Sequence, residues 1–211
     1  MLEAKNLHVV DGPLIRHKLA VLRDERTPTP DFRQAMKELS LIMVAEAASA
    51  MPTNAARIRT PLAETEVEEI SRPVCLVPVL RAGLGMLEAA LALLPEATVG
   101  FMGLQRDEET AEPVEYYVNL PQALDEYLVL VLDPMLATGG SLSATLHKLK
   151  EYGAEWVCCL HAVSATPGVE RVTGEYPDVA FYVAAVDPEL DENAFIVPGL
   201  GDAGDRLYGT L

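Results

Sequence analysis

The sequence predicts an α/β fold in which helices flank a central, mostly parallel sheet. The order of elements carries this expectation, and two features of composition bound it. From Pro73 onward, short apolar runs alternate with stretches of helical periodicity, the order produced when parallel strands are joined by crossover helices. Half of the 211 residues are apolar, enough to bury a full core in one domain. Finally, the three cysteines, Cys75, Cys158 and Cys159, are odd in number and sit in apolar runs, as small core residues of a reducing compartment do.

Two amphipathic helices open the chain. Pro13 suits the first turn of one that runs to about Arg23, and Thr29-Pro30 supplies a cap and a first-turn proline for a longer one. In that second segment Phe32, Ala35, Met36, Leu39, Ile42, Met43 and Ala50 recur at helical spacing, so it should lie across a core. Strands are expected at Val74 to Leu80, Thr98 to Leu104, Tyr127 to Asp133, Glu155 to Val163 and Val179 to Val186. Helices are expected at Leu84 to Leu94, Ser141 to Tyr152 and, more briefly, after Pro167. Pro113 to Asn119 alternates Val114, Tyr116 and Val118 with polar or aromatic neighbours and reads as an excursion from the sheet. The tail from Phe195, with Gly199, Gly201, Gly204, Gly209 and Pro198, looks too broken for a regular element.

Charge and composition narrow the possible functions. Thirty-two acids against 16 bases give a net charge of −16, which would repel a phosphate backbone and argues against nucleic-acid binding. The four histidines, His8, His17, His147 and His161, lack ligand spacing and are expected at the surface or at caps. No run of eighteen apolar residues occurs, and MLEAKNLHVV lacks the features of a signal peptide, so the expectation is a soluble, cytoplasmic protein without membrane contact.

In open α/β sheets, ligands collect beyond the carboxyl ends of the strands. Between Pro73 and His147 there are only two basic residues, Arg81 and Arg106, each just after an expected strand end. Asp133 ends the next strand, and Ser164 and Thr166 follow the one after. The loop then runs Pro134, Met135, Leu136, Ala137, Thr138, Gly139, Gly140 and Ser141 into a helix. Two glycines can turn backbone N–H groups toward an anion, Thr138 and Ser141 add hydroxyls, and the helix dipole favours negative charge. An ordinary Gly-Gly turn with Ser141 as N-cap is the plainer alternative. Asp133 could accept hydrogen bonds from sugar hydroxyls or hold a hydrated Mg²⁺, while paired guanidinium donors on Arg81 and Arg106 suit a diphosphate. Rival motifs fail. Gly83-Leu84-Gly85 has Glu88 where a dinucleotide fingerprint needs its third glycine, no Walker lysine follows Gly140, and there is no G-x-S-x-G elbow.

VLDPMLATGGS, from Val131 to Ser141, resembles the phosphoribosyl-pyrophosphate loop of the type I phosphoribosyltransferases, and in the form DPMLATGGS it is similar to the uracil branch. Further matching blocks follow in order: GPLIRHKLAVLRD, PVLRAGLGM, GLQRDEET, PVEYYVNLP and FIVPGLGDAGDRLYGT. The resemblance implies a type I phosphoribosyltransferase-like fold in a single domain over residues 1–211. It divides into an N-terminal helical arm (1–72), a core sheet (73–187) and a base-binding hood (188–211). The implied reaction makes uridine monophosphate and diphosphate from uracil and phosphoribosyl pyrophosphate (PRPP), a step of pyrimidine salvage.

Carried onto matching positions, Arg81 and Arg106 face the diphosphate, Asp133 the ribose hydroxyls, and Ala137 to Ser141 the 5′-phosphate, with Pro134, Met135, Leu136 and Asp202 also in the implied PRPP-binding set. Arg106, Asp133 and Asp202 are the implied catalytic set, with Arg106 stabilising the leaving group from a closing segment, Asp107 to Glu112, whose acidic run reads equally as a solvated surface face. Uracil would be held through backbone groups of Ile196, Gly201, Asp202 and Ala203. Such a strand can match a flat, neutral base without charged side chains. Many relatives carry two adjacent acids before the loop, whereas Pro134 fills the second position here. The resemblance therefore implies Mg²⁺ held mainly by PRPP, through water to Asp202, with no direct protein ligand. A homodimer or homotetramer, and GTP activation in some bacterial relatives, are further implications. Gly12 departs from a common histidine, which touches only local contacts of the arm. Two other readings compete. A non-catalytic RNA-binding regulator is disfavoured by the charge and the missing basic stripe, and a site for orotate would need a cation near the base, where the C-terminal block offers only Arg206.

Overall fold

The computed structural model describes residues 4–106 and 113–210. Its strands are β1 (Leu7–Val9), β2 (Thr53–Arg59), β3 (Glu64–Ile70), β4 (Val74–Leu80), β5 (Phe101–Arg106), β6 (Pro113–Asn119), β7 (Leu128–Leu132), β8 (Trp156–His161) and β9 (Ala180–Val183), with two-residue and three-residue bridges besides. Its α-helices are α1 (Pro13–Arg23), α2 (Thr29–Ala48), α3 (Leu84–Leu93), α4 (Gly140–Glu151), α5 (Thr166–Glu175) and α6 (Ala203–Tyr208).

The central sheet has the order β1-β9-β8-β7-β4-β5-β6, and every pairing along it is parallel except β5 with β6. Strand β7, Leu-Val-Leu-Val-Leu, lies at its centre and is buried throughout. Because side chains alternate, Leu128, Leu130 and Leu132 join the core beneath α1, α2 and α3, while Val129 and Val131 join the core beneath α4 and α5. A continuous apolar run with no polar face is what a strand covered on both sides requires. Each such fully buried side chain contributes about 1.5–3 kcal/mol.

Several sequence expectations change. The N-terminal arm is not helical throughout: Thr53–Ile70 forms an antiparallel hairpin, in which Arg57 and Arg59 face Glu66 and Glu64 across the ladder. It was missed because its strands have no apolar face; nearly every residue is exposed. Leu7–Val9 likewise leaves the arm to pair with β9. Helix α2 stops at Ala48, so Ala50 lies past its end, exposed. Pro113–Asn119 is no excursion: it hydrogen-bonds along β5 as the antiparallel edge of the sheet. The tail is also more regular than its glycines imply. Ile196–Val197 pairs with Glu189–Leu190, and α6 is capped by Asp202, whose carboxylate accepts from the Asp205 N–H at 2.8 Å. His161, expected at the surface, is fully buried. The three cysteines are buried free thiols, and burial pushes that of Cys75 up to about 11. No described helix is long and apolar enough to cross a membrane.

Truncating the central strand should therefore cost far more than truncating the hairpin tip. Leu130→Ala is expected to destabilise the protein by about 2–5 kcal/mol. Leu62→Ala, at a side chain 97% exposed, should change stability by less than about 0.5 kcal/mol. Urea denaturation midpoints of the two variants check this contrast.

Candidate active site

The carboxyl ends of β4 and β7 open onto a cavity of about 260 Å³ lined by Leu80, Arg81, Asp133, residues 135–142, Asp202 and Gly204. Its position follows from β7: the strand must stop where its side chains leave the core, and Asp133 is the first residue beyond it. Asp133 remains buried at 9% exposure. Removal from water pushes its carboxyl up to about 7, opposed by one long hydrogen bond from the Met135 N–H at 3.4 Å. Its backbone is fixed from β8, as Asp133 N donates to Leu160 O and the His161 Nδ1 lies 2.7 Å from Asp133 O. Burial pushes His161 down to about 4, so its ring is neutral at pH 7.

The turn into α4 is built for an anion. Gly139 takes φ +79°, a left-handed conformation that glycine adopts without a steric penalty. Gly139 is the residue that precedes the helix, which begins at Gly140, so Ser141 is in the first turn and is not the N-cap. No side-chain cap closes that end. Thr138 Oγ1 accepts from Gly140 N at 3.3 Å, while among the described residues the Ser141 and Leu142 N–H groups have no protein acceptor. Open donors at a helix start, with the positive end of its dipole, form an anion seat.

Arg81 comes from the other side. It follows β4 after a cis Leu80–Arg81 peptide, its side chain is 57% exposed, and it reaches Asp205 of α6 at 3.2 Å. That ion pair is exposed enough to be exchanged for a ligand at little cost. Asp202 lines the same cavity while capping α6.

Most of the expected donor-site residues therefore meet in one place: Arg81, Asp133, Met135, Leu136, Ala137, Thr138, Gly139, Gly140, Ser141 and Asp202 all line the cavity. Pro134 does not; its carbonyl is turned to Val163 N at 3.0 Å. Arg106 ends β5 opposite Pro113, inside the strand and not after it, because pairing with β6 extends β5 to that residue. Asp107 to Glu112 lie outside the described residues. Ile196, Gly201 and Ala203 do not line the cavity either. They flank it through Asp202 and Gly204, with the Ile196 and Ala203 side chains buried and Gly201 exposed, so that only backbone could serve a ligand there. Arg206 is not a free cation near the base. It is buried under hydrogen bonds to Leu22, Asp24 and Leu200 carbonyls. Sequence reasoning also assigned no site role to Arg23 and Asp187, which bind each other across 164 residues.

The parallel sheet thus brings a strand-end acid, a helix-start anion seat and a facing arginine to one edge. In keeping with that fold, a hypoxanthine phosphoribosyltransferase from Trypanosoma cruzi superposes with a TM-score of 0.51 at 14% identity, over 75% of this chain and 76% of that one. A solved protein from Aquifex aeolicus superposes with a TM-score of 0.90 at 38% identity, covering 96% and 97% of the two chains. Residues 9–210 match the family model described as uracil phosphoribosyltransferase. A relative of that name from Alkaliphilus metalliredigens is 50% identical over 203 residues, 96% of this chain and 97% of that one, and another from Thermoanaerobacter is 45% identical over 207 residues, 98% and 99%. The chain belongs to the uracil phosphoribosyltransferase family.

Asp133 and His161 titrate in opposite senses. Asp133, raised from 3.8 to about 7, adds stability that is fully present below pH 4 and lost as pH rises through about 7. His161, lowered from 6.5 to about 4, adds stability present above pH 6.5 and lost as pH falls through about 4. The two slopes offset each other in wild type. Asp133→Asn should leave the histidine slope uncompensated, so that stability climbs more steeply between pH 4 and 6.5 than in wild type. Unfolding free energies across that range measure it.

Proposed function

We propose that the protein transfers the phosphoribosyl group of 5-phospho-α-D-ribose 1-diphosphate to N1 of uracil, yielding UMP and diphosphate, and so serves pyrimidine salvage. The observation that carries this reading is the single cavity where Asp133, Arg81, Asp202 and the open start of α4 converge beside glycine-rich backbone. In this reading the 5′-phosphate sits on the 137–141 turn, the ribose hydroxyls donate to Asp133, and the diphosphate lies toward Arg81 and Arg106. Whatever the protonation of Asp133 in the free protein, hydroxyl donors favour its carboxylate once the donor is bound.

As the C1′–O bond to diphosphate breaks and the N1–C1′ bond forms, positive charge gathers on the ribose and negative charge on the leaving group. The N1 proton passes to the diphosphate or to water. Asp133 and Asp202 oppose the first charge, Arg81 and Arg106 the second, so rate enhancement is mostly positional and electrostatic. Arg106 supplies the stabilising charge from the strand that leads into residues 107–112.

Among the described residues no group of three His, Cys, Asp or Glu side chains converges. Two separate carboxylates at the cavity fit a Mg²⁺ that keeps several waters and enters on the diphosphate. When bound, Mg²⁺ neutralises and orients the diphosphate, and Asp202 would hold it through water. The base is read by backbone of Ile196, Gly201, Asp202 and Ala203, with residues 188–211 acting as a hood on one catalytic unit formed by the whole chain. Arg206, the one cation of that hood, is already committed to carbonyls, which favours neutral uracil over orotate. Buried free thiols support a reducing, cytoplasmic setting. The self-paired, exposed hairpin supports assembly into a homodimer or homotetramer, since a lone two-stranded ribbon is marginal in water. Response to GTP is the remaining part of the proposal.

Purified protein with Mg²⁺ and PRPP is expected to form nucleotide from uracil, and not from orotate, cytosine, hypoxanthine or guanine; product from orotate or a purine alone would overturn the reading. Parallel assays with added GTP report activation. Arg106→Ala should lower kcat by about a hundredfold, and Asp133→Ala should raise the PRPP KM, both measured by UMP formation.

A further inference from the structure

Two arginines hold the backbone just ahead of Gly201. Arg23, the last residue of α1, forms a two-pronged pair with Asp187, Nη1 to Oδ2 and Nη2 to Oδ1 at 2.7 Å each, and Nη1 also donates to Gly199 O at 2.8 Å. Asp187 Oδ2 accepts in turn from Gly199 N at 2.9 Å. Both polar backbone groups of Gly199 are thus taken by one ion pair, whose carboxylate partner is 8% exposed. Arg206 takes the next carbonyl, Leu200 O, at 2.8 Å. Its other donors reach Leu22 O and, at 2.7 Å, Asp24 O at the end of α1, while its guanidinium lies 4.3 Å from the centre of the Phe32 ring.

The circuit is closed. Helix α1 sends Arg23 into the hood, and the hood sends Arg206 back to the carbonyls that α1 leaves open at its end. Gly199 itself allows no alternative residue, since a Cβ there would lie 2.0 Å from Ile196 O and its φ is +58°. The Leu200–Gly201 peptide is trans, so its N–H is antiparallel to its C=O. Pinning Leu200 O to Arg206 aims the Gly201 N–H the opposite way, and among the described residues that N–H has no protein acceptor.

We propose that Arg23, through Asp187 and Gly199, is a positioning residue for the nucleobase site: it sets the peptide orientation with which the hood presents N–H donors to a base carbonyl. This rests on the uracil reading above. Arg23 does not line the phosphate cavity, so its influence separates base binding from donor binding. Lysine cannot replace it, because one ammonium cannot grip both carboxylate oxygens and the Gly199 carbonyl in a single plane.

Steady-state kinetics of wild type and Arg23→Lys, with thermal unfolding of each, test this. The uracil KM should rise on the order of tenfold to a hundredfold, while the PRPP KM and kcat stay within about threefold. Asp187→Asn, which keeps an acceptor for Gly199 N but weakens the pair, should show the same split and carries the test if Arg23→Lys does not fold. Equal rises in both KM values, or a lower melting temperature with the uracil KM unchanged, would make the pair merely structural and overturn the inference. If wild type converts no uracil, the functional reading fails and this inference falls with it; a wild type active on uracil beside variants without the split sinks the inference alone.

Discussion

Strand β7 has no face it can show to water. Leu128–Leu132 is paired along both edges, with β4 and β8, and covered above and below by the two cores. That burial sets the middle of the sheet, and the strand's end sets the site. The first residue past the apolar run is a carboxylate, and the chain must turn there into α4 without losing its backbone hydrogen bonds. Asp133, the anion seat and the cavity all lie where the strand's burial stops.

A charge placed at such a boundary is held at a cost. Asp133 is a buried carboxyl on the wall of a cavity, and its neighbour His161 is kept neutral by burial. Proteins retain such groups where a ligand restores what folding removes. Hydroxyl donors on a ribose would do so for Asp133. Arg81, by contrast, stays in contact with water and with Asp205, ready for exchange. The site therefore combines one buried acceptor with one exposed, ion-paired cation.

The hood solves a different problem. Its glycine-rich backbone offers hydrogen-bonding edges, but such backbone is also the most costly to order. Arg23 and Asp187 from outside residues 188–211, and Arg206 from α6 within them, supply that order, taking the carbonyls of Gly199 and Leu200 and leaving the Gly201 N–H without a protein acceptor among the described residues. Removing either guanidinium would leave buried backbone acceptors unpaired, which is why these residues can hold a loop whose own side chains are too small to do so.

Local pattern was enough to read the central strands, α1 to α4, and the strand-acid-glycine-helix order at Asp133 to Ser141, because those signals are carried by neighbours in sequence. The convergence of the Gly139-Gly140 turn and Arg81 on one cavity was legible for the same reason, since basic residues are rare in that stretch. The hairpin Thr53–Ile70 was not, for it buries almost nothing and so has no apolar period to detect. Nor was the burial of His161 and Arg206, which depends on what is packed above them. The sequence by itself determined the alternation of strand and helix, the chemistry of the anion seat and the resemblance to a family. Only the tertiary structure decided that Arg23 meets Asp187 and that Arg206 is spent on backbone, because each is a contact between segments whose separation along the chain leaves no periodic trace.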